Sequence, residues 1–226
     1  MQNRVFTCFD NSYFSVFGIS WIASLRELGQ FNGPIFAALF EPLSSHTIKS
    51  LEEQNVHLIP CFNRPKTRES ALQVLPVLEP GSFIFWDIDG YFVKPIQPIF
   101  DKIQNNLLFS KNGGFIAGNA KSWQTLEDYN RLNDFCGFQR KLDVYKYFPE
   151  TVTIVDEMWN YCYPNRSLPN DVVFVHFAGE MKRISSLFIA EDLFFANRYV
   201  DIYKKWESRF QISTNKKFIM RKTKNE

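Results

Sequence analysis

Short apolar segments alternate with amphipathic segments along the first part of the chain. A short apolar run bounded by turn residues is typical of a buried strand, and apolar positions three and four residues apart indicate a helix. This β-α-β-α order predicts a mostly parallel sheet with right-handed crossovers. The predicted strands are Val5–Phe9, Ile35–Phe40, Val56–Ile59 and a fourth that ends in Asp87, and the predicted helices are Ser12–Leu28, Ser45–Gln54 and Thr67–Leu78.

The second half of the chain is less regular. Apolar runs predict strands at Leu107–Ser110, Phe115–Ala117 and Val172–Val175, the last followed directly by His176. Helical spacing is found near residues 122–135 and 190–210. We predict one α/β domain over residues 1–210, followed by a basic tail over residues 211–226 that is either a disordered soluble segment or a peripheral membrane contact.

Composition agrees with an enzyme-sized domain. The chain has 226 residues, of which 45% are apolar and 17% aromatic, enough for a large core with aromatic walls. A net charge of +2 gives no indication of nucleic-acid binding. The four cysteines form no C-x-x-C pair and are expected to be reduced thiols in the core. With no apolar run long enough for a membrane span and no signal peptide, we expect a soluble cytoplasmic protein.

Two carboxylates follow the fourth predicted strand. Asp87 and Asp89 stand two residues apart, and side chains with this spacing on an extended chain point the same way. Open α/β sheets bind ligands at this carboxyl edge, and hard divalent cations prefer such oxygen ligands. The pair is therefore a candidate metal site, although an Asp-x-Asp pair can also simply end a strand in a turn.

The residues around this pair resemble a known family. The apolar strand, the Asp-x-Asp pair and the segment that follows are similar to the nucleotide-sugar glycosyltransferases of the GT-A fold, and most of all to the glycogenin and lipopolysaccharide-galactosyltransferase family. Four further segments match that family in order along the chain. They are Cys8–Tyr13, Asn112–Asn119 followed by Trp123, Asp156–Asn160, and His176–Lys182.

The resemblance implies a GT-A (Rossmann-like) fold and a site for a nucleoside-diphosphate sugar, with UDP favoured. It implies Mn²⁺ or Mg²⁺ as cofactor, a retaining reaction, and a glycan, lipid-linked or protein acceptor, with no nucleic acid. The metal ligands it implies are Asp87, Asp89 and His176; the donor-binding residues are Asp10, Tyr13, Lys66, Arg68, Asp87, Asn112, Gly179 and Lys182; the catalytic residues are Asp156, Glu157 and Lys182.

The chain departs from the family at one position that matters for mechanism. Glu157 stands where the family usually has glutamine, and the resemblance implies that this position faces the reactive carbon of the sugar. A carboxylate there can act as a nucleophile or as a base, whereas a glutamine cannot. Arg183 and Ile184 also replace the Pro-Trp that often follows the last motif, so acceptor contacts are expected to differ.

Other interpretations of the same residues stay open. The segment from Phe85 to Val93 also resembles the first motif of haloacid-dehalogenase-type phosphatases, with Asp87 as nucleophile and Asp89 as acid/base, although Tyr91 replaces the usual threonine. A non-catalytic GT-A-like binding module is a further alternative. Individual residues have plain structural explanations as well: a strand-end histidine at 176, a core tyrosine at 13, a hairpin turn at 112–114, and a solvated helix start at 66–68.

Overall fold

The computed structural model describes residues 2–110, 114–125, 152–162, 170–177 and 205–206. These residues form ten strands and five α-helices with bounds given by the structure. The strands are β1 (Arg4–Phe9), β2 (Ile35–Leu39), β3 (Val56–Pro60), β4 (Ser82–Trp86), β5 (Gly90–Phe92), β6 (Leu107–Ser110), β7 (Phe115–Asn119), β8 (Val152–Val155), β9 (Tyr161–Cys162) and β10 (Phe174–His176). The helices are α1 (Asn11–Tyr13), α2 (Ile19–Glu27), α3 (Ser45–Glu53), α4 (Arg68–Leu72) and α5 (Gln97–Phe100), and residues 120–125 are also helical.

The main sheet has seven strands in the order β3-β2-β1-β4-β7-β6-β8. Strands β1 to β4 pair in parallel, and β6 pairs in parallel with β8. Strand β7 lies antiparallel between β4 and β6, which makes the sheet mixed. The predicted α/β class with a mostly parallel mixed sheet is therefore confirmed, and the carboxyl end of β4 lies at the middle of the sheet.

A small second sheet stands beside that end. Its three strands have the order β5-β10-β9, with β10 antiparallel to β5 and parallel to β9. The chain passes from β4 into β5 through Asp87–Asp89, so the two sheets meet at the candidate metal residues. Strand β10 is paired so that His176 lies opposite Gly90.

The first helical region follows the predicted extent but is not a uniform α-helix. Helix α1 continues through a π-helical turn at Phe14–Gly18 into α2. The Asp10 side chain accepts a hydrogen bond from the Tyr13 backbone N–H, which satisfies one of the free donors at the helix start. The apolar stripe of α2 is buried against the sheet, as its spacing predicts.

The third predicted helix, Thr67–Leu78, is much shorter in the structure. Helix α4 ends at Leu72, because Pro76 has no N–H and disfavours helical backbone in the residue before it. The irregular segment that follows is held by Arg4, whose guanidinium donates to the carbonyls of Pro76 at 2.6 Å and Glu79 at 2.6 Å. The chain therefore reaches β4 through anchored loop instead of helix.

Two apolar layers cover the main sheet. One contains Trp21, Trp86, Phe92 and Phe115, and the other contains Phe6, Phe83, Phe85 and Trp123.

Cys8, Cys61 and Cys162 are free thiols, and Cys136 lies outside the described residues. Among the described residues there is no helix long and apolar enough to cross a membrane. The predicted helix near 190–210, apart from residues 205 and 206, and the predicted tail also lie outside them.

Candidate functional site

Asp87 is fixed at the carboxyl end of β4 by its own backbone. Its N–H donates to the Gly114 carbonyl at 2.9 Å, and its carbonyl accepts from the Trp21 indole Nε1 at 3.1 Å. The chain then bends at Ile88, which is buried in the core, and so brings Asp89 back towards Asp87. The two carboxylates converge through this bend, whereas the sequence pattern predicted a simple extension of the strand.

His176 comes to these carboxylates from the second sheet. Its pairing with Gly90 is continued by a hydrogen bond from the Phe177 N–H to the Asp89 carbonyl at 2.8 Å. His176 Nε2 lies 3.3 Å from Asp89 Oδ1 and 3.8 Å from Asp87 Oδ2. One ligand atom from each of the three residues lies within 4.8 Å of the others, which is a suitable spacing for a shared divalent cation.

The donor types in this cluster fit Mn²⁺ or Mg²⁺. Two carboxylate oxygens and one imidazole nitrogen give three protein ligands and leave positions for phosphate oxygens and water. Asp89 is only 1% exposed and His176 only 4%, so the cluster is shielded from bulk water on one side. The structure thus brings together the three residues predicted as metal ligands, and metal binding by them stays a prediction.

Gly114 makes this close approach possible. Its φ is +76°, a conformation that residues with a side chain rarely adopt. A Cβ atom there would lie 2.7 Å from His176 Cε1 and 3.0 Å from Asp87 Oδ2. Glycine is therefore needed both for the backbone and for the space between the two sheets. Gly114 belongs to the segment Asn112–Asn119, which the family resemblance places beside the donor sugar and which has a plain hairpin turn at 112–114 as its alternative interpretation. Asn112 itself lies outside the described residues.

A buried polar group supports the far side of the imidazole. Asn160 is fully buried, and its Nδ2 lies 3.4 Å from His176 Nδ1 and donates to Ser110 Oγ at 3.1 Å. Cys162 Sγ lies 3.9 Å from the same Nδ1. Burial lowers the pKa of His176, but hydrogen bonds to Asp89 and Cys162 and the charges of both aspartates raise it more, to about 9. Nothing in the sequence points to Asn160 beyond its place in the Asp156–Asn160 segment.

Two basic residues stand next to the carboxylates. Arg68, at the start of α4, donates from Nε to Asp87 Oδ1 at 3.0 Å and from Nη2 to Asp87 Oδ2. Lys66 donates to Asp10 at 3.0 Å and also to Glu41. These hydrogen bonds raise the pKa of Lys66, so it is fully charged at neutral pH. Glu41 was missed from the sequence, since a single glutamate after a strand has no distinctive pattern.

A pocket of about 230 Å³ opens at this edge of the sheet. All five predicted donor-binding residues that the structure describes contribute to its wall. Its lining consists of Cys8, Phe9, Asp10, Tyr13, Phe40, Lys66, Thr67, Arg68, Asp87, Ile88 and Asp89. Acidic, basic and aromatic side chains are thus combined in one concave surface, where charged groups can fix the orientation of a ligand and aromatic groups can pack against it.

The predicted catalytic residues are less well placed. Asp156 caps a 3₁₀ turn at Glu157–Asn160 by accepting from the Met158 N–H at 2.9 Å, and both Asp156 and Glu157 are exposed. Neither is among the residues that line the pocket. Gly179 and Lys182 lie outside the described residues, so their predicted roles also stay predictions.

Comparisons with known proteins give a result for the fold alone. No protein-family profile matches the chain, and no curated protein matches it. Among solved structures, the chain is similar to the apo form of the glycosyltransferase GlyE from Streptococcus pneumoniae TIGR4, with a TM-score of 0.59 and 13% identity over 92% of this chain. The match spans 64% of the GlyE chain.

Two further solved structures give the same result. The bifunctional glycosyltransferase WbbM matches with a TM-score of 0.60 and 16% identity over 93% of this chain and 51% of its own. The galactosyltransferase LgtC, in complex with donor and acceptor sugar analogues, matches with a TM-score of 0.56 and 13% identity over 90% of this chain and 96% of its own. The chain therefore has the GT-A fold.

Proposed function

We propose that this chain, with its GT-A fold, is a metal-dependent glycosyltransferase that transfers a sugar from a nucleoside-diphosphate sugar, specifically a UDP-sugar, to an acceptor. The observation that carries the proposal is the convergence of Asp87, Asp89 and His176 beside a pocket that also contains Arg68 and Lys66. Two carboxylates, one imidazole and two cations at the carboxyl edge of a sheet suit a ligand with a diphosphate.

The charged and aromatic groups at the site have distinct parts in this reaction. A divalent ion held by Asp87, Asp89 and His176 would supply positive charge at the departing diphosphate. Arg68 and Lys66 bind phosphate oxygens from the pocket wall. Tyr13, with its side chain partly exposed at the pocket, offers a ring face to the base, and Asp10 offers an acceptor beside it. Asp156, Glu157 and Lys182 are proposed to act at the sugar.

The phosphatase alternative has less support. A carboxylate nucleophile needs an oxygen directed at phosphorus, but both Asp87 oxygens accept hydrogen bonds from Arg68. Asp89, the acid/base in that mechanism, is only 1% exposed and lies 3.3 Å from His176 Nε2, so little of its carboxylate is accessible to a substrate. The convergence of Asp87, Asp89 and His176 instead favours a site that binds a cation.

The test is donor turnover with and without metal. Purified protein is incubated with a panel of UDP-sugars and Mn²⁺, and released UDP is measured, with EDTA added in a parallel reaction. Metal-dependent release of UDP supports the proposal. Hydrolysis of p-nitrophenyl phosphate would indicate the phosphatase, and tight UDP-sugar binding without any turnover would indicate a binding module.

Metal binding is also expected to depend on pH. Because the pKa of His176 is about 9, the imidazole carries a proton at pH 7.5 and must lose it before Nε2 can coordinate an ion. We expect release of about one proton per Mn²⁺ bound, and an apparent affinity that rises about tenfold per pH unit below pH 9. Calorimetry in two buffers of different ionisation enthalpy measures the proton release.

The control for this experiment is His57→Gln, since His57 is exposed and lies on β3, away from the cluster. The control is expected to release the same number of protons as the wild type, and His176→Gln to bind the ion weakly with no proton release. Proton-free binding of Mn²⁺ by the wild type at pH 7.5 would contradict coordination through His176.

A further inference from the structure

Arg68 occupies the carboxylate of Asp87, which is one of the three candidate metal ligands. Arg68 Nε donates to Asp87 Oδ1 and Arg68 Nη2 donates to Asp87 Oδ2, so the two side chains form a bidentate ion pair. The side chains are only 13% and 21% exposed, which leaves little water to screen their charges. The guanidinium also lies over the Phe85 ring at 5.7 Å, which restricts where it can move.

A cation that enters this cluster must compete with Arg68. The oxygen involved, Asp87 Oδ2, is the one that lies 3.8 Å from His176 Nε2 and so faces the other two ligands. Arginine cannot lose its proton in a protein, so its positive charge remains beside the incoming ion. A divalent cation alone therefore meets both an occupied ligand and a repelling charge.

A diphosphate changes this balance. Arg68 lines the pocket, and phosphate oxygens accept the same two-pronged hydrogen bonds as a carboxylate. We propose that Arg68 makes cation binding conditional on the anion: it holds Asp87 while the pocket is empty and turns to the diphosphate when this arrives, which frees Asp87 for the cation. Arg68 is thus a positioning residue that couples the two ligands, and the coupling acts equally in both directions.

This inference rests on the proposed function only in taking Asp87 as a metal ligand and a diphosphate as the anion. Its distinctive consequence is a pair of changes with opposite sign. Removal of the guanidinium strengthens binding of the cation alone and weakens binding of the anion. A residue that only supports the fold of the site would weaken both when it is replaced.

The experiment compares Arg68→Gln with the wild type, using Mn²⁺ alone and UDP in the presence of Mn²⁺. Free Mn²⁺ is counted by electron paramagnetic resonance, and UDP binding is measured by calorimetry. We expect Arg68→Gln to bind Mn²⁺ alone about tenfold tighter, and to bind UDP with Mn²⁺ about tenfold weaker, which lies within the usual range of coupling between two sites. The factor by which UDP raises Mn²⁺ affinity is expected to be smaller in the variant.

Two further variants make the result specific. Arg64→Gln removes an exposed arginine that pairs with Gln73 outside the pocket, and is expected to behave as the wild type. Arg68→Lys keeps the charge but lacks the two-pronged fork, and is expected to give a smaller gain in Mn²⁺ affinity; it also serves as the test if Arg68→Gln does not fold.

Mn²⁺ binding by Arg68→Gln that is equal to or weaker than that of the wild type, including no detectable binding by either protein, overturns the inference. Failure of the proposed function would be seen in a different measurement: the wild type would then show no UDP binding in the presence of Mn²⁺. The two failures are read from separate titrations and are therefore distinguishable.

Discussion

Replacement of Asp89 by alanine is expected to abolish metal-dependent nucleotide binding and turnover while the fold remains. Asp89 is 1% exposed and lies 3.3 Å from His176 Nε2, at the centre of the cluster. A residue that only supports a ligand typically contributes 10- to 100-fold to metal affinity, so we expect a loss of about a hundredfold or more for a ligand itself. The fold tolerates the change because His176 can lose its proton, which leaves no unpaired buried charge.

Titration of UDP in the presence of Mn²⁺ measures this loss, and thermal unfolding followed by circular dichroism reports the fold. Asp89→Asn is a second variant of nearly equal size that keeps part of the hydrogen bonding but loses the charge. The matched control is Asp101→Ala, which removes a carboxylate bonded to Gln97 away from the pocket. Wild-type UDP affinity in both Asp89 variants would show that the cluster is not the metal site.

Replacement of Gly114 by alanine is expected to have the second largest effect. A residue with a side chain in left-handed backbone costs about 1–2 kcal/mol, which corresponds to a lower Tm by several degrees for a chain of this size. The added Cβ would also lie 2.7 Å from His176 Cε1 and 3.0 Å from Asp87 Oδ2, so the candidate ligands must shift from their present positions. Because displaced ligands bind poorly, we expect a loss of about 10- to 100-fold in Mn²⁺ affinity.

Gly81→Ala provides the control that separates strain from the site. Gly81 also has a positive φ, +120°, and a Cβ there would lie 2.4 Å from the Gln2 carbonyl oxygen, but it precedes β4 at the end opposite Asp87. We expect this variant to lose stability and to keep its Mn²⁺ affinity. If both glycine variants lose stability while neither loses affinity, Gly114 has only a backbone role.

The strands of the first half could be predicted from the sequence with small errors at their ends. Buried parallel strands are apolar runs with turn residues on both sides, and β1 and β2 follow this pattern closely, whereas the edge strand β3 includes the exposed His57. The same logic placed Asp87 and Asp89 at the end of β4. Predictions based on local patterns succeed here because the core determines which residues must be apolar.

Contacts between distant segments could not be predicted in the same way. Nothing local to Gly114 indicates that its α-carbon faces His176, and nothing local to Arg68 indicates that it holds both oxygens of Asp87. Strand β9 has only two residues and so gives no periodic signal. Helix α4 ends earlier than the predicted Leu78, because Pro76 disfavours helical backbone in the turn before it. The family resemblance supplied His176, which spacing alone would not have selected.

The position of His176 in the small sheet has a consequence for local unfolding. Two ligands follow β4 of the large sheet and the third belongs to β10, so an ion bound by all three would join the sheets directly. Opening of β10 would then release the ion. Ion binding therefore raises the free energy of that opening by RT ln(1 + [L]/Kd), where [L] is the concentration of free ion. Amide hydrogen exchange of Phe174–His176 should therefore slow on addition of Mn²⁺ and UDP, while exchange in β2 and β3 stays unchanged.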